Sequence, residues 1–364
     1  MKIAFVGESL DYGGAQKMLS FVIKSVANMA DEVIIFLENI EDIDYDLPKN
    51  IRLVKLSYKE RKKKFNALEK IFRLHSYSKQ INKILKDNDV SIICGFGAYF
   101  AFIAVIATKK IKTKVIGCER RSPQSVNKIW RILSKYTYSK CDIASFQLKG
   151  ARDYYKNIDE DKVSIIPNPF ISTSDVERVE IQNRKKKITM AAARYEWEKG
   201  FDVGIKSMKY IEKKHPEYVL EIYGDGDANK MYSDVLECVR DKSKIVFKGL
   251  STQIIADIND SSVFLLPSRS EGIPNMLLEV MGAGIPCVAA DCPPGGPRML
   301  LKNNTRGILV EMDNPKKTAD AICELIENKE LADTLSKNAM QVKDEFSVMR
   351  IQNEWRSLFQ SVIK

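Results

Sequence analysis

The segment Ser270-Glu271-Gly272-Ile273-Pro274-Asn275-Met276-Leu277-Leu278-Glu279 places two carboxylates eight residues apart. Pro274 suits the first position of a helix, where its missing N–H costs no hydrogen bond, so Glu271 is predicted in a loop and Glu279 in the helix that follows. Gly272 lets the backbone approach a ligand closely, and the N–H groups at a helix start suit an anion. Carboxylates accept hydrogen bonds from polyol hydroxyls. The segment therefore predicts a ligand with both hydroxyl and phosphate groups, such as a nucleotide sugar.

Working outward from this segment, short apolar runs alternate with helical patterns along the chain. Such alternation is typical of a doubly wound parallel sheet. It stops at the charged, aperiodic stretch 171–187 and then resumes, which predicts two Rossmann-like sheets facing across a cleft. The candidate strands are 2–7, 32–38, 51–56, 90–94, 113–117, 142–145 and 162–166 before that stretch and 188–192, 218–223, 244–247, 262–266, 286–290 and 307–310 after it, with helices at 201–213, 275–283 and 315–327 among others.

The length of 364 residues exceeds what one ordinary hydrophobic core accommodates. We predict an α/β chain with a first domain at 1–170, a linker at 171–187 and a second domain at 188–345. The final stretch, about 346–364, has apolar residues at helical spacing and is expected to pack back on the first domain. Because ligands of such sheets bind beyond the carboxyl ends of the strands, the site is predicted there.

The positive charge of the chain is unevenly distributed. The whole sequence has 58 Lys and Arg against 48 Asp and Glu, but residues 49–140 alone have 23 basic and 5 acidic residues. A basic surface binds phosphate polyanions or an anionic lipid leaflet. The amphipathic helix predicted at 66–86, with the basic run Arg61-Lys62-Lys63-Lys64 before it, is a candidate interfacial membrane helix. Packing of its apolar face on the core is the alternative.

Cysteine and histidine usage excludes several classes of site. The seven cysteines are odd in number and form no C-x-x-C pair, which favours free thiols in a reducing cytoplasm over a disulfide framework or a zinc site. The only histidines are His75 and His215, so a multi-histidine metal centre is excluded. No apolar run reaches the ~20 residues that span a bilayer. The N-terminus has the pattern of a first strand, and a secretory signal is not expected.

Basic and glycine residues at the ends of predicted strands form a second group of candidates. Arg194 and Lys199 follow the strand at 188–192 and are placed to neutralise charge on a diphosphate; two surface cations are the alternative. The Gly13-Gly14 pair follows the first strand and frees backbone N–H groups at a helix start, although a plain strand–helix turn is the better explanation of the pair taken alone. Gly224 and Gly249 end two further strands in tight turns.

Together these motifs, in this order, resemble the retaining glycosyltransferases of family 4, which have the GT-B fold. The resemblance implies that the first domain binds the acceptor and that the second binds the nucleotide sugar. It also implies that Glu279 holds the ribose hydroxyls and that Glu271 approaches the hydroxyls of the donor sugar. Backbone N–H groups around Ile273–Asn275 would reach the sugar or the diphosphate. The implied donor-binding residues are Gly13, Gly14, Arg194, Lys199, Gly224, Gly249, Glu271, Gly272, Ile273, Pro274, Asn275 and Glu279.

Two stretches depart from the usual pattern of that family. Position 16 is Gln where the family has a Gly-Gly-x-Glu turn, and the strand at 113–117 leads into Glu119-Arg120 where many members have His. The run from Cys118 to Pro123 resembles a variant of members that build glycans on lipid carriers. It implies that Glu119 hydrogen-bonds sugar hydroxyls and that Arg120 meets a phosphate, with a local ion pair as the alternative. The loop Asp291–Arg298 resembles a rigid turn of the same subgroup, with Arg298 expected to make a surface contact.

The resemblance implies transfer of a hexosyl or N-acetylhexosaminyl unit, with retention, from a UDP-sugar to a polyprenyl-diphosphate-linked glycan in cell-surface polysaccharide biosynthesis. The implied catalytic residues are Arg194, Lys199, Glu271 and Glu119. No metal or other cofactor is expected, because basic groups and helix ends can stabilise the diphosphate. A cytoplasmic protein on the inner face of the plasma membrane follows. The alternatives are an epimerase or phosphorylase-type enzyme of the same fold, or a basic nucleic-acid-binding protein, which would leave Glu271 and Glu279 unexplained.

Overall fold

A computed structural model describes residues 1–11, 13–40, 46–58, 67–124, 127–172 and 174–363. The basic run at 61–64, predicted to flank a membrane helix, lies outside the described residues. The chain forms two compact units, the first made of Met1–Asn168 with Met349–Lys364 and the second of Pro169–Val348. The division therefore lies two residues before the one drawn at 170, and most of the final helix belongs to the first unit.

Both units contain a parallel sheet, so the predicted doubly wound α/β class is confirmed. The first sheet has seven strands in the order β3-β2-β1-β4-β5-β6-β7, and the second has six in the order β10-β9-β8-β11-β12-β13. The strands are β1 Lys2–Gly7, β2 Glu32–Leu37, β3 Ile51–Lys55, β4 Ile92–Phe96, β5 Lys114–Cys118, β6 Ile143–Phe146, β7 Val163–Ile165, β8 Lys185–Arg194, β9 Val219–Asp225, β10 Ile245–Gly249, β11 Ser261–Leu266, β12 Cys287–Ala290 and β13 Ile308–Val310.

Helices connect the parallel strands, as crossover connections require. They are α1 Gly14–Val26, α2 Ala67–Asp87, α3 Ala98–Ala107, α4 Lys128–Lys140, α5 Lys149–Asp153, α6 Phe201–Ile211, α7 Ala228–Leu236, α8 Ile254–Ile258, α9 Asn275–Gly282, α10 Gly296–Leu301, α11 Pro315–Glu327, α12 Lys329–Ala339, α13 Val342–Glu345 and α14 Val348–Ile363. Among the described residues, no helix is long and apolar enough to cross a membrane.

Two predicted boundaries are wrong. The stretch 171–187 is not linker throughout, because β8 begins at Lys185 and pairs with β9 from Lys187 onward. Lys187 is buried and its ammonium contacts Asp260 at 2.7 Å, so a charged residue occupies a strand that its sequence did not indicate. Pro274 is the N-cap of α9 and not its first residue, since its ψ of 108° is extended.

Each unit has its own core. In the first, Trp355 and Phe359 of α14 are buried, and the Phe359 ring lies 5.8 Å from that of Phe5 in β1. In the second, buried apolar residues of β8, such as Met190, pack with Phe201 and Ile205 of α6. Because the strands of each sheet are parallel, their carboxyl ends lie along one edge, and the loops that follow them carry the candidate residues.

Candidate functional site

An ion pair at the carboxyl edge of the second sheet joins two of the predicted residues. The Lys199 ammonium donates to Oε1 of Glu271 at 2.9 Å, and the Ser268 hydroxyl donates to the same oxygen at 2.9 Å. The backbone N–H of Glu271 donates to the Pro293 carbonyl at 3.1 Å. The loops after β8, β11 and β12 therefore meet around one carboxylate, although Lys199 and Glu271 are separated by 72 residues.

Lys199 is held in its charged state at this position. Burial by itself would lower the pKa of the ammonium, but the adjacent Glu271 carboxylate outweighs burial and raises the pKa above its ordinary value. The Glu271 side chain is 13% exposed and that of Lys199 is 30% exposed. The pair is thus a fixed cation and a hydrogen-bond acceptor that solvent still reaches, which suits a ligand with phosphate and hydroxyl groups.

Arg194 is the second predicted cation and is differently placed. It is the last residue of β8, it is exposed, and none of the carboxylates in the described ranges forms an ion pair with it. The adjacent Tyr195 N–H donates to the Asp225 carbonyl at 3.0 Å, which fixes the backbone at the strand end. Arg194 is therefore available to an anionic ligand without first breaking a salt bridge.

The residue that sequence reasoning missed is Arg269. Its guanidinium donates to both carboxylate oxygens of Asp202 at 2.9 Å, to Asp313 at 2.7 Å and to the Trp197 carbonyl at 2.6 Å. It also lies 4.4 Å from the centroid of the Trp197 ring, and its own N–H donates to the Glu198 carbonyl at 2.7 Å. Arg269 thereby locks the loop that carries Lys199 to the loop that carries Glu271.

Two glycines are required where these loops touch. Gly200 has φ of +66°, and a Cβ atom there would also collide with the Pro267 carbonyl oxygen. A Cβ atom on Gly296 would collide with the carbonyl oxygen of Gly272. Backbone contact between neighbouring loops thus explains why glycine follows Lys199 and why glycine stands at position 296.

The remaining donor-binding candidates of this unit lie on the same edge. Ile273 and Glu279 are buried, Asn275 opens α9, and Glu279 lies on that helix as predicted. Gly224 lies near the end of β9, and Gly249 ends β10 with φ of +74°, a conformation that favours glycine. Their contacts with a donor stay a prediction.

Gly13 and Gly14 occupy the predicted turn in the first unit. Gly13 is the N-cap of α1, Gly14 is its first residue, and the Lys17 N–H donates to the Gly13 carbonyl at 2.8 Å. A Cβ atom on Gly13 would collide with the Gln16 side chain. The unusual Gln16 thus lies against the turn itself, and anion binding there stays a prediction.

Glu119 does not have the environment expected of a sugar ligand. It is buried, its Oε1 accepts from the N–H groups of Arg120 at 3.0 Å and Arg121 at 3.1 Å, and its Oε2 accepts from the Tyr155 hydroxyl at 2.8 Å. Burial raises the pKa of this carboxyl, an effect that these hydrogen bonds reduce. Both oxygens therefore serve internal structure, and a contact of Glu119 with sugar hydroxyls stays a prediction.

Arg120 makes its contacts within the first unit. Its Nη1 donates to the Ile166 carbonyl at 3.2 Å, and its guanidinium lies 4.8 Å from the centroid of the Trp355 ring and 5.5 Å from that of Phe96. No ion pair between Arg120 and Glu119 is found among the described residues, and a phosphate contact stays a prediction. Arg120 instead fastens α14 to the first sheet through a cation–π contact.

Contacts within the protein account for two further candidates, Arg298 and the side-chain group around His215. Arg298 pairs with Asp291, one of the contacts being Nε to Oδ1 at 2.9 Å, which agrees with the expected surface contact. His215, Cys323 and Glu327 have potential metal-ligand atoms within 4.8 Å of one another. The His215 ring lies 2.9 Å from Glu327, so a hydrogen bond accounts for the pair.

Comparison with known proteins identifies the family of the second unit. Residues 173–342 match the family model described as glycosyl transferases group 1. That range contains Arg194, Lys199, Glu271 and Glu279. The chain contains a glycosyltransferase domain. The family resemblance predicted from the E-x7-E segment is confirmed, and the group 1 domain is the second unit.

Relatives and solved structures of this glycosyltransferase extend over the whole chain. The GalNAc-alpha-(1->4)-GalNAc-alpha-(1->3)-diNAcBac-PP-undecaprenol alpha-1,4-N-acetyl-D-galactosaminyltransferase of Campylobacter jejuni is 24% identical over 365 residues, covering 100% of this chain and 99% of that protein. Sucrose-phosphate synthase from Thermosynechococcus elongatus has a TM-score of 0.83 at 15% identity, covering 99% and 98% of the two chains. Anabaena HepE in complex with UDP has a TM-score of 0.78 at 15% identity, covering 99% and 100%. The predicted GT-B fold is confirmed, and the epimerase, phosphorylase and nucleic-acid-binding alternatives gain no support.

Proposed function

We propose that this glycosyltransferase moves a hexosyl or N-acetylhexosaminyl unit, with retention, from a UDP-sugar to a lipid-linked glycan during cell-surface polysaccharide assembly. The observation that carries the proposal is the Lys199–Glu271 pair at the carboxyl edge of the second sheet, where β8 also ends in the exposed Arg194. The UDP in the HepE structure and the undecaprenol acceptor in the Campylobacter enzyme's name support the two substrate classes.

In the proposed mechanism the chain's own cations stabilise the departing diphosphate. The bond from the anomeric carbon to the diphosphate oxygen breaks, and a hydroxyl oxygen of the acceptor forms the new bond on the same face. The acceptor proton passes to the leaving phosphate. Lys199 and Arg194 neutralise the negative charge that develops there, so the proposed mechanism needs no metal. Glu271 orients the sugar hydroxyls. Lys199 is effective because Glu271 and the loop locked by Arg269 already hold it in place.

The assay for the proposal measures UDP release. Purified protein with UDP-N-acetylhexosamines or UDP-hexoses should release UDP faster when a polyprenyl-diphosphate-linked glycan is added, and NMR of the product should show an α-linkage. The correct donor should also raise the melting temperature in a screen of nucleotide sugars, since ligand binding stabilises the folded state. UDP release that ignores the acceptor, or a β-linked product, would overturn the proposal.

We further propose that the first unit attaches to an anionic bilayer through α4. This helix contains Lys128, Arg131, Lys135 and Lys140 and no acidic residue, and its apolar residues Ile129 and Ile132 are 70% and 64% exposed. A helix with exposed apolar side chains among basic ones suits the interface of a bilayer that contains anionic lipid. On α2, Ile71 and Phe72 are also exposed, so the helix predicted from sequence is a second contact candidate.

Vesicle flotation separates the electrostatic contribution of the basic residues from the contribution of the exposed apolar residues of α4. Wild-type protein should float with vesicles of phosphatidylglycerol and phosphatidylethanolamine and be released by salt. The double variant Ile129→Ser/Ile132→Ser should lose flotation, whereas Leu250→Ser, at an exposed position of the second unit, should float like wild type. Flotation of the double variant at the wild-type level would exclude α4 as the attachment surface.

A further inference from the structure

The carboxyl edge of the first sheet contains a polar cluster that the mechanism does not use. Glu38 follows β2, Tyr58 follows β3, Tyr99 lies in the first turn of α3 after β4, and Arg73 projects from α2. The Arg73 guanidinium lies 6.0 Å from the centroid of the Tyr99 ring, and Arg73 also lowers the pKa of the Glu38 carboxyl. Ligands of parallel sheets bind beyond this edge of the strands. The cluster therefore occupies the position where this unit would meet a substrate.

The backbone around the cluster is firmly fixed. The Glu8 carbonyl after β1 accepts from the N–H groups of Glu38 and Asn39, both at 3.0 Å. The loop after β3 is tied to α2 because the Gln80 side chain donates to the Ser57 carbonyl at 2.7 Å. These contacts involve main-chain atoms of three strand ends, so the side chains of the cluster extend from a rigid support.

Polar atoms of the cluster are buried without a hydrogen-bond partner. Within the described ranges, they include Oε1 of Glu38 and the hydroxyl oxygens of Tyr58 and Tyr99. Folded proteins rarely leave such atoms unsatisfied, and each costs about 1–3 kcal/mol. A ligand hydroxyl can donate to the Glu38 oxygen and can both donate to and accept from Tyr58. The unsatisfied atoms thus define the hydrogen bonds that a ligand would supply.

The surroundings of these atoms favour a sugar over a phosphate. Burial raises the pKa of the Glu38 carboxyl above its ordinary value. The nearby Arg73 guanidinium lowers this pKa, and Glu8 raises it further. The backbone contact between Glu8 and Glu38 places two acidic residues at this edge, which disfavours a phosphate group. The Tyr99 ring contributes an aromatic surface, packed edge-on against Trp130 at 5.6 Å between centroids.

We propose that Glu38 and Tyr58, together with Tyr99, form the pocket that recognises hydroxyl groups of the terminal sugar on the acceptor. Glu38 accepts from a sugar hydroxyl, Tyr58 hydrogen-bonds a second, and the Tyr99 ring lies against the apolar face of the pyranose. This inference rests on the proposed transferase function and specifies its acceptor side. The three residues bind the acceptor and take no part in bond breaking.

The test compares two acceptor probes that share a sugar but differ in charge. One is a neutral p-nitrophenyl N-acetylhexosaminide, and the other is the same sugar on a farnesyl diphosphate. Glu38→Ala should raise the acceptor KM about tenfold for both probes, as the loss of one hydrogen bond worth about 1.4 kcal/mol predicts. Tyr58→Phe should raise it by about threefold to fivefold. The donor KM should not change in either variant.

Controls separate this pocket from general damage. Glu32→Gln, at the opposite end of the same strand β2, should keep the wild-type acceptor KM. An unchanged acceptor KM in Glu38→Ala, or a rise in KM confined to the diphosphate probe, would overturn the proposal of this pocket. If wild type releases no UDP with any acceptor, the proposed function fails, and the pocket is then tested by saturation-transfer NMR of the neutral glycoside, whose signal should disappear in Glu38→Ala.

Discussion

The carboxyl edges of the two sheets differ in whether their polar and charged side chains have partners within the protein. In the second unit, Lys199 pairs with Glu271 and Arg269 with Asp202, so that edge is already ordered. In the first unit, Glu38 and Tyr58 retain buried polar atoms without partners in the part of the chain that the structure describes. A pre-ordered edge suits a diphosphate whose chemistry is constant. An unsatisfied edge suits a partner that varies between enzymes and brings its own hydrogen bonds.

The sharpest contrast is expected from Arg194, the exposed cation of the ordered edge. Arg194→Ala should lower kcat by about 10²–10³, by analogy with loss of one oxyanion donor, because it removes charge stabilisation of the leaving diphosphate. Its melting temperature should stay near that of wild type, since Arg194 makes no ion pair with a described carboxylate. Steady-state kinetics with saturating acceptor measure the effect. Near-wild-type turnover would remove Arg194 from the mechanism.

Arg269 tests whether the ordered edge owes its rigidity to one residue. Arg269→Ala leaves Asp202 partly buried without its bidentate partner and frees the Trp197–Gly200 loop, so we expect a loss of about 3 kcal/mol in the free energy of unfolding. The donor KM should rise as well. Urea unfolding measures the first effect and UDP-sugar titration the second. Lys206→Ala, which removes only a weaker contact of Asp202, is the matched control.

A pH series tests a second ordered cluster, around Glu345. Hydrogen bonds from the Arg306 guanidinium, with the nearby Lys302, lower the pKa of the Glu345 carboxyl to about 2. Because the folded-state pKa lies below the ordinary value of 4.5, this stabilisation is present above about pH 4.5 and is lost as the pH falls towards 2. Glu345→Gln should be less stable at pH 7 and should lose less stability between pH 4.5 and 2. Parallel acid-unfolding curves for the two proteins would contradict this assignment.

The smallest effect is expected at the unsatisfied edge. Glu38→Leu removes a buried acceptor that lacks a partner, so the free protein should gain up to about 1 kcal/mol in stability. Acceptor binding should weaken in the same variant. Thermal unfolding without ligand gives the first value, and the acceptor KM gives the second. Destabilisation would show that Glu38 contributes to folding and that the two edges do not differ in the way described.

Local patterns in the sequence predicted most of the elements but few of the contacts between distant residues. The apolar runs placed the strands within a few residues, and the E-x7-E segment placed Glu271 and Glu279 before and within α9. The strand period could not show that Lys185–Lys187 belong to β8, because three consecutive lysines carry no apolar alternation. The carboxylate partners of Lys187 are distant in sequence: Glu221 lies in β9, and Asp260 directly precedes β11.

Glu119 and Arg269 show where prediction from sequence stops. Oε2 of Glu119 accepts a hydrogen bond from Tyr155, a residue 36 positions away, and no local pattern reports that contact. Arg269 adjoins the E-x7-E segment and would have been a candidate had Asp202, three residues after Lys199, been considered as its partner. In both cases the role of a charged residue depends on which distant group folding places beside it.

The position of α14 has a consequence for the order in which the protein folds as it is synthesised. Trp355 and Phe359 belong to the interior of the first unit, yet they are translated after all of Pro169–Val348. The first unit therefore cannot complete its interior until α14 leaves the ribosome, whereas the second unit has all its residues earlier. Domains usually finish folding in the order of synthesis. In this enzyme the half that is made first is the last to be completed.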